Sequence, residues 1–249
     1  MTGWICKQIS RKMNTVAPLS TSDSIITRKP VKAQLAWLRV GIHLLGLYPL
    51  IQLAHLLLAD RWTANPIQFI EQYLGRAALD MLVLTLAVTP VVTLTGWKSL
   101  ARHRRTLGLY SFFYFSLHFL TFAVLDYNLD VREMLRLILE KPYLLVGLLA
   151  GLILLSLAAT SFRYWRKHLG RNWKRLHKTV YLASGLVVLH YALAVKGSLD
   201  ALSGDILRPL VMGLLVSFLL ILRLVNHQKH AAPAGAHTGL VQPTNLSKP

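Results

Sequence analysis

Cysteine is almost absent from this chain: Cys6 is the only one in 249 residues. One thiol excludes an internal disulfide and any zinc site or iron–sulfur cluster built from cysteines. Charge is scarce too. Only 15% of the residues are charged, where a soluble domain carries about 25%. No G-x-G-x-x-G follows a strand-like stretch, so nothing marks a dinucleotide-binding domain. Residues 1–34 are polar and basic, without the apolar run of a signal peptide. No internal repeat is evident.

Apolar length is what the chain has instead, with hydrophobic residues at 54%. Six stretches, at about 37–58, 77–94, 107–125, 143–161, 176–195 and 207–224, approach the roughly 20 residues a helix needs to cross a bilayer. Continuous apolar runs in lipid imply helices, because each must satisfy its own backbone. The expected fold is an all-α membrane protein, a six-transmembrane-helix bundle over 35–226. The flanking segments 1–34 and 227–249 read as disordered tails. Pro90, near the end of the second stretch, predicts a kink.

The charges divide by side. Of 28 Lys and Arg, 21 fall in the N-terminal tail, the loops after the second and fourth stretches, and the C-terminal tail, with Arg39 and Arg223 at the adjoining helix ends counted among them. Nine of the ten acidic residues fall on the opposite side, Asp23 being the exception. Basic segments stay in the cytoplasm, so both termini are expected there. The basic loops around 98–105 and 163–178 then read as orienting charge held against anionic membrane lipids, not as a nucleic-acid surface.

Ionisable groups inside a membrane are costly and point to function. His103, His168, His227, His230 and His237 read as solvated, and His55 as interfacial. His43, His118, His177 and His190 remain. His118 lies 14 residues beyond Arg104 and His190 lies 13 beyond His177, so at 1.5 Å per residue each sits about 20 Å deeper. Two imidazoles at one level on facing helices suit bis-histidine ligation of a haem iron. The alternative is two histidines bonded to backbone carbonyls across a helix interface. His177 lies level with Arg104 and Arg105, near Lys174, Arg175 and Lys178. That layer suits haem propionates, a flavin phosphate or a quinone headgroup, and serves equally well as orienting charge. His43, in the inner half of the first stretch, reads as a further ligand or a hydrogen-bond partner. Asp80 is expected to pair with Arg76, one turn earlier, and Arg76 is within reach of haem propionates.

Several segments carry a resemblance. Trp37-Leu-Arg-Val-Gly-Ile-His43, Gly75-Arg76-Ala-Ala-Leu, Arg104-Arg105-Thr-Leu-Gly-Leu, Leu117-His118, and Leu169-Gly-Arg-Asn-Trp173-Lys-Arg-Leu-His177-Lys-Thr-Val-Tyr181 followed by His190-Tyr191 resemble the MsrQ (YedZ) family. These are haem-binding subunits within the ferric reductase-like transmembrane superfamily. The resemblance implies a bacterial inner-membrane protein carrying haem b and FMN. It would pass electrons from the quinone pool or a cytosolic flavin reductase to the periplasmic molybdopterin reductase MsrP, which repairs methionine sulfoxide. It also implies that His118, His190 and His177 are the haem ligands. Where NADPH oxidases of the superfamily carry a further histidine, this chain has Arg104. The inner layer is therefore expected to hold a flavin or quinone near Arg104 and Arg105, or a haem completed by His43 or another group. The acidic stretch 126–140 is the expected docking surface. A stand-alone ferric or quinone oxidoreductase, a proton-coupled transporter and a haem-free anchor are the competing readings. The near absence of carboxylates inside the apolar stretches weighs against the transporter.

Overall fold

The computed structural model describes residues 29–61, 64–195, 197–198, 203–204 and 206–231. The tails expected at 1–34 and 227–249 lie largely outside them. The chain forms two compact units, Met1–His43 and Leu44–Pro249. Within the first, the described residues are the start of helix α1 (Lys29–Leu58), on which His43 is exposed.

In the second unit the rest of α1 is followed by α2 (Pro66–Thr95), a 3-10 turn (Lys98–His103) and α3 (Arg104–Leu120). A π-helical segment (Thr121–Asp126) prolongs α3, and then come α4 (Val131–Glu140), α5 (Pro142–Ala159), α6 (Arg163–Lys178), α7 (Val180–Ala194) and α8 (Leu207–Ala231). A two-residue antiparallel pair, Gly197–Ser198 with Ser203–Gly204, precedes α8. Among the described residues four helices are long and apolar enough to cross a membrane: Ala36–Leu58, Pro66–Thr95, Lys98–Asp126 and Pro142–Ala159. Helix α7 has 15 residues, about 22 Å at 1.5 Å per residue, and only Thr179 separates it from α6.

Helix α2 is the most buried element, with Leu79, Met81, Leu82 and Val88 each 3% exposed or less. It starts well before the expected residue 77. Asn65 caps it, its side chain accepting from the Gln68 N–H at 3.2 Å, and Pro66 fills the first turn. Both are strong helix-start chemistry, and the longer helix carries Glu71, Gln72 and Arg76. The helix continues through Pro90 and closes at Gly96, whose φ of 70° suits a glycine cap.

Hydroxyls within the helices bond back to carbonyls one turn earlier: Thr85 to Met81 at 2.8 Å, Thr121 to Leu117 at 2.9 Å, Ser156 to Leu152 at 2.8 Å. In a medium without water this satisfies a polar group locally. Ser111 instead bonds across helices, donating to the Ala78 carbonyl at 2.9 Å and fixing α3 to α2.

Pro49 lies inside α1 and cannot donate to the ladder. The Tyr114 hydroxyl from α3 enters beside it, donating to the Gly46 carbonyl at 2.6 Å and accepting from the Leu50 N–H at 3.3 Å. Those are two groups a straight helix would pair with each other. Tyr114 is fully buried.

Helix α6 holds seven of the Lys and Arg. Phe162, Tyr164 and Trp165 are exposed at its start, and Trp173 donates from Nε1 to the Thr160 carbonyl at 3.0 Å. Cations and aromatics together suit the headgroup layer. The helix breaks at Gly170, where φ is 48° and ψ is −117°. No atom would meet a Cβ there, so Gly170→Ala should cost only the conformational strain, about 1–3 kcal/mol. Thermal unfolding in detergent measures it; an unchanged midpoint would mean that the break relaxes.

Candidate functional site

The most extensive helix contacts are those of α2 with α3 and of α5 with α7. A cavity of about 770 Å³ lies where these pairs face each other. One wall is aromatic, with Phe112, Phe115, Phe119 and Phe122 from α3 and its π-helical extension. Another, from α2, carries Gln68, Glu71, Gln72 and Arg76. Leu82, Leu154 and Val187 are among the aliphatic residues that complete it.

His118 from α3 and His190 from α7 both line this cavity. The His118 Nδ1 lies 2.9 Å from the Glu71 carbonyl oxygen, and the His190 Nδ1 lies 2.7 Å from that of Tyr143. A carbonyl only accepts, so each Nδ1 carries the proton and donates. Each Nε2 then keeps its lone pair, the arrangement found in metal-ligating histidines. The carbonyl bonds expected of the alternative reading are present, and they leave the Nε2 of each imidazole with the lone pair that metal ligation requires.

The ring centres are 6.3 Å apart, with ring planes at 73°. A ligating imidazole nitrogen stands about 2.0–2.1 Å from a metal, and the ring centre lies roughly 1.1 Å behind it. Two imidazoles on opposite sides of one ion would thus have centres about 6.3 Å apart. Among the described residues no cluster of three metal-ligating side chains occurs. A pair of histidines suits an ion whose other ligands travel with it, as the iron of a haem does. The apolar cavity around the pair fits a flat macrocycle.

Other expected residues fall elsewhere. His177 stacks on Trp173, with ring centres 4.0 Å apart and Nδ1 3.2 Å from the Trp173 carbonyl. Arg105 is exposed, its guanidinium 5.9 Å from the centre of the Phe162 ring. Arg104 buries its Nε without a hydrogen-bond partner among the described residues, and the groups that act on its charge are Arg223 and Tyr181. The Arg223 guanidinium lies 4.7 Å from the Tyr181 ring centre and donates to the Thr89 Oγ1 at 2.9 Å. Arg223 is a residue that sequence reasoning missed, because its charge read as part of the C-terminal tail.

Two expectations are corrected. Asp80 pairs with Arg208 of α8 at 3.2 Å, and Arg76 lines the cavity instead. Helix α8 brings a distant cation to Asp80, which adjacency on one helix could not foretell. Both partners are more than a third exposed, so Arg208→Ala should cost under about 1 kcal/mol; a larger loss in a denaturation titration would contradict this. His103, read as solvated, is 8% exposed as the last residue of the 3-10 turn.

Comparison with known proteins agrees with this arrangement. A family model described as "Ferric reductase like transmembrane component" matches residues 74–190, from α2 to the second cavity histidine. A protein of Herminiimonas arsenicoxydans named "Protein-methionine-sulfoxide reductase heme-binding subunit MsrQ" is 38% identical over 200 residues, covering 80% of this chain and 89% of that one. A protein of the same name from Ralstonia nicotianae is 43% identical over 154 residues, or 61% of this chain and 71% of that one.

The chain belongs to the MsrQ family.

It is a multi-pass protein of the bacterial inner membrane. A third relative with this name, from Cronobacter sakazakii, is 38% identical over 164 residues, covering 66% of this chain and 82% of its own. The names of all three relatives describe heme-binding subunits of a methionine-sulfoxide reductase.

Proposed function

We propose that this chain is the membrane electron-transfer subunit of a methionine-sulfoxide reductase system, with haem b held between His118 and His190. One observation carries the reading: two imidazoles with ring centres 6.3 Å apart line one largely apolar cavity, each with Nδ1 tied to a carbonyl. A haem bound there supplies one-electron redox chemistry. The chain's own contributions are separate. His118 and His190 grip the iron, and the carbonyls of Glu71 and Tyr143 hold their rings in the ligating tautomer. The phenylalanine wall keeps water out, and Arg76 with Gln72 offers a polar edge for the propionates.

The finer reading extends this in both directions. The subunit delivers electrons to the periplasmic molybdopterin reductase MsrP, and the quinone pool or a cytosolic flavin reductase supplies them. An inner layer of His177, Arg104 and Arg105, with His43 as a candidate, takes FMN or a quinone headgroup. The buried Nε of Arg104 and the neighbouring Arg223 support an anionic group there. Helices α7 and α8 complete six spans, with both termini cytoplasmic. The acidic stretch 126–140 receives the partner.

Stopped-flow absorbance tests the reading. The full-length protein is reduced with dithionite, freed of excess reductant, and mixed with MsrP and a methionine-sulfoxide peptide. Rapid re-oxidation that requires both is expected; a haem that stays reduced contradicts the proposed function. Reversing the charges of Asp126, Glu133 and Glu140 to lysine should slow that step without loss of haem. An unchanged rate removes the docking assignment.

A further inference from the structure

The two cavity histidines sit in equivalent settings. His118 bonds the carbonyl of residue 71 and lies over Gly75; His190 bonds the carbonyl of residue 143 and lies over Gly147. Positions 71, 75 and 118 recur at 143, 147 and 190, a constant offset of 72. The same offset relates further pairs on the cavity wall, among them Ala78 with Ala150 and Leu82 with Leu154. The α2–α3 pair and the α5–α7 pair thus present the same arrangement twice, each placing one imidazole at the cavity.

In each copy a glycine stands one helical turn after the accepting carbonyl. A Cβ at Gly147 would lie 2.7 Å from the His190 Nδ1, and a Cβ at Gly75 would lie 3.2 Å from the His118 Nδ1. Both are below ordinary van der Waals contact, and at Gly147 the atom in the way is the one that makes the hydrogen bond. Neither glycine is at a positive φ, so backbone conformation does not demand it. What demands it is the closeness of the ring.

We propose that Gly75 and Gly147 are positioning residues of a duplicated ligand cradle. Each lets one imidazole lie against the opposite helix of its pair, closely enough for its Nδ1–H to reach the carbonyl a turn before the glycine. That bond fixes Nε2 as the nitrogen facing the cavity and sets the plane of the ring. The two glycines act through the histidines and touch no cofactor themselves. Because each Nδ1–H bonds a carbonyl, at 2.9 Å for His118 and 2.7 Å for His190, the two imidazoles share one tautomer. The unequal clearances rank the sites, with His190 the less tolerant.

The inference rests on the haem reading proposed above, and its test separates the two. Full-length wild type, Gly75→Ala, Gly147→Ala and Gly185→Ala are purified in detergent. Haem per chain, the low-spin electron paramagnetic resonance signal and the midpoint potential are then measured. Gly185, where nothing lies within 4 Å of a Cβ, is the neutral control. Gly147→Ala is expected to lower haem affinity by roughly 10- to 100-fold, the range for partners that orient a metal ligand, and to convert the remaining haem to high spin. Gly75→Ala, where the ring needs to yield only a few tenths of an ångström, is expected to fold and keep its haem. It should show a shifted potential and altered low-spin g values. If Gly147→Ala fails to fold, the Gly75→Ala signature decides. Wild-type g values and potential in a folded alanine variant at either glycine, with haem present, overturn this inference alone. A wild-type protein that binds no haem overturns the inference together with the reading beneath it.

Discussion

Replacing His118 or His190 with alanine removes the low-spin b-type spectrum, and each single change does so completely. The geometry makes the effect this large. The imidazoles line one cavity with ring centres 6.3 Å apart, so in the proposed reading each would supply one bond to the haem iron. Removing one would leave the haem with a single protein ligand in a cavity of about 770 Å³. The cost to the fold is small by comparison. The Glu71 and Tyr143 carbonyls belong to helices α2 and α5, and a carbonyl that loses one of two possible donors is not orphaned. Haem loss with a near-normal helix content in circular dichroism is therefore the expected combination. His177→Ala is expected to leave this signal intact, because His177 packs on Trp173 within its own helix. A low-spin haem surviving in His118→Ala or His190→Ala would remove the ligand assignment.

Tyr114→Phe should cost about 1–2 kcal/mol, although it removes a single oxygen atom. That oxygen serves two backbone groups of α1, the Gly46 carbonyl and the Leu50 N–H, at the turn containing Pro49. Buried groups left unpaired typically cost about 1–3 kcal/mol, while hydrogen bonds measured between membrane helices run nearer 0.6 and reach about 1.7. The site combines two bonds with complete burial, which places the expectation at the upper end of the membrane range. A double-mutant cycle tests the cause. Pro49→Ala restores a donor to the ladder, so Tyr114→Phe should cost at least about 0.5 kcal/mol less in that background. Additive costs in mixed-micelle denaturation would mean that the hydroxyl and the proline act independently.

The sequence made the central pair legible for a simple reason. A helix advances a fixed distance per residue, so counting from Arg104 and His177 put His118 and His190 at one depth. The structure brings their rings together. Helix α2 was legible in its caps and hidden in its hydropathy: Asn65-Pro66 is start chemistry, but Glu71, Gln72 and Arg76 interrupt the apolar run that was counted. Asp80 was paired with the nearest cation on its own helix, whereas the fold supplies Arg208 from 128 residues away. Arg223 looked like a tail charge until α8 carried it to Tyr181 and Thr89. The proposed duplication leaves little trace in the sequence, because the two halves agree at few positions. Gly75 matches Gly147 and His118 matches His190, but Glu71 faces Tyr143 and Arg76 faces Leu148 in the paired copy. Only the shared hydrogen-bond geometry makes the correspondence visible. The π-helical turn just after His118 had no signal in the sequence, since nothing in Thr121–Asp126 departs from an ordinary apolar helix.

The most direct test of the central claim is the visible and electron paramagnetic resonance spectrum of the full-length protein, purified from haem-replete membranes, with haem counted per chain as pyridine haemochrome. The account predicts a b-type haem, reducible by dithionite, with the low-spin signal of two imidazole ligands. A preparation that is folded, by circular dichroism and a monodisperse elution profile, yet shows no Soret band would contradict it.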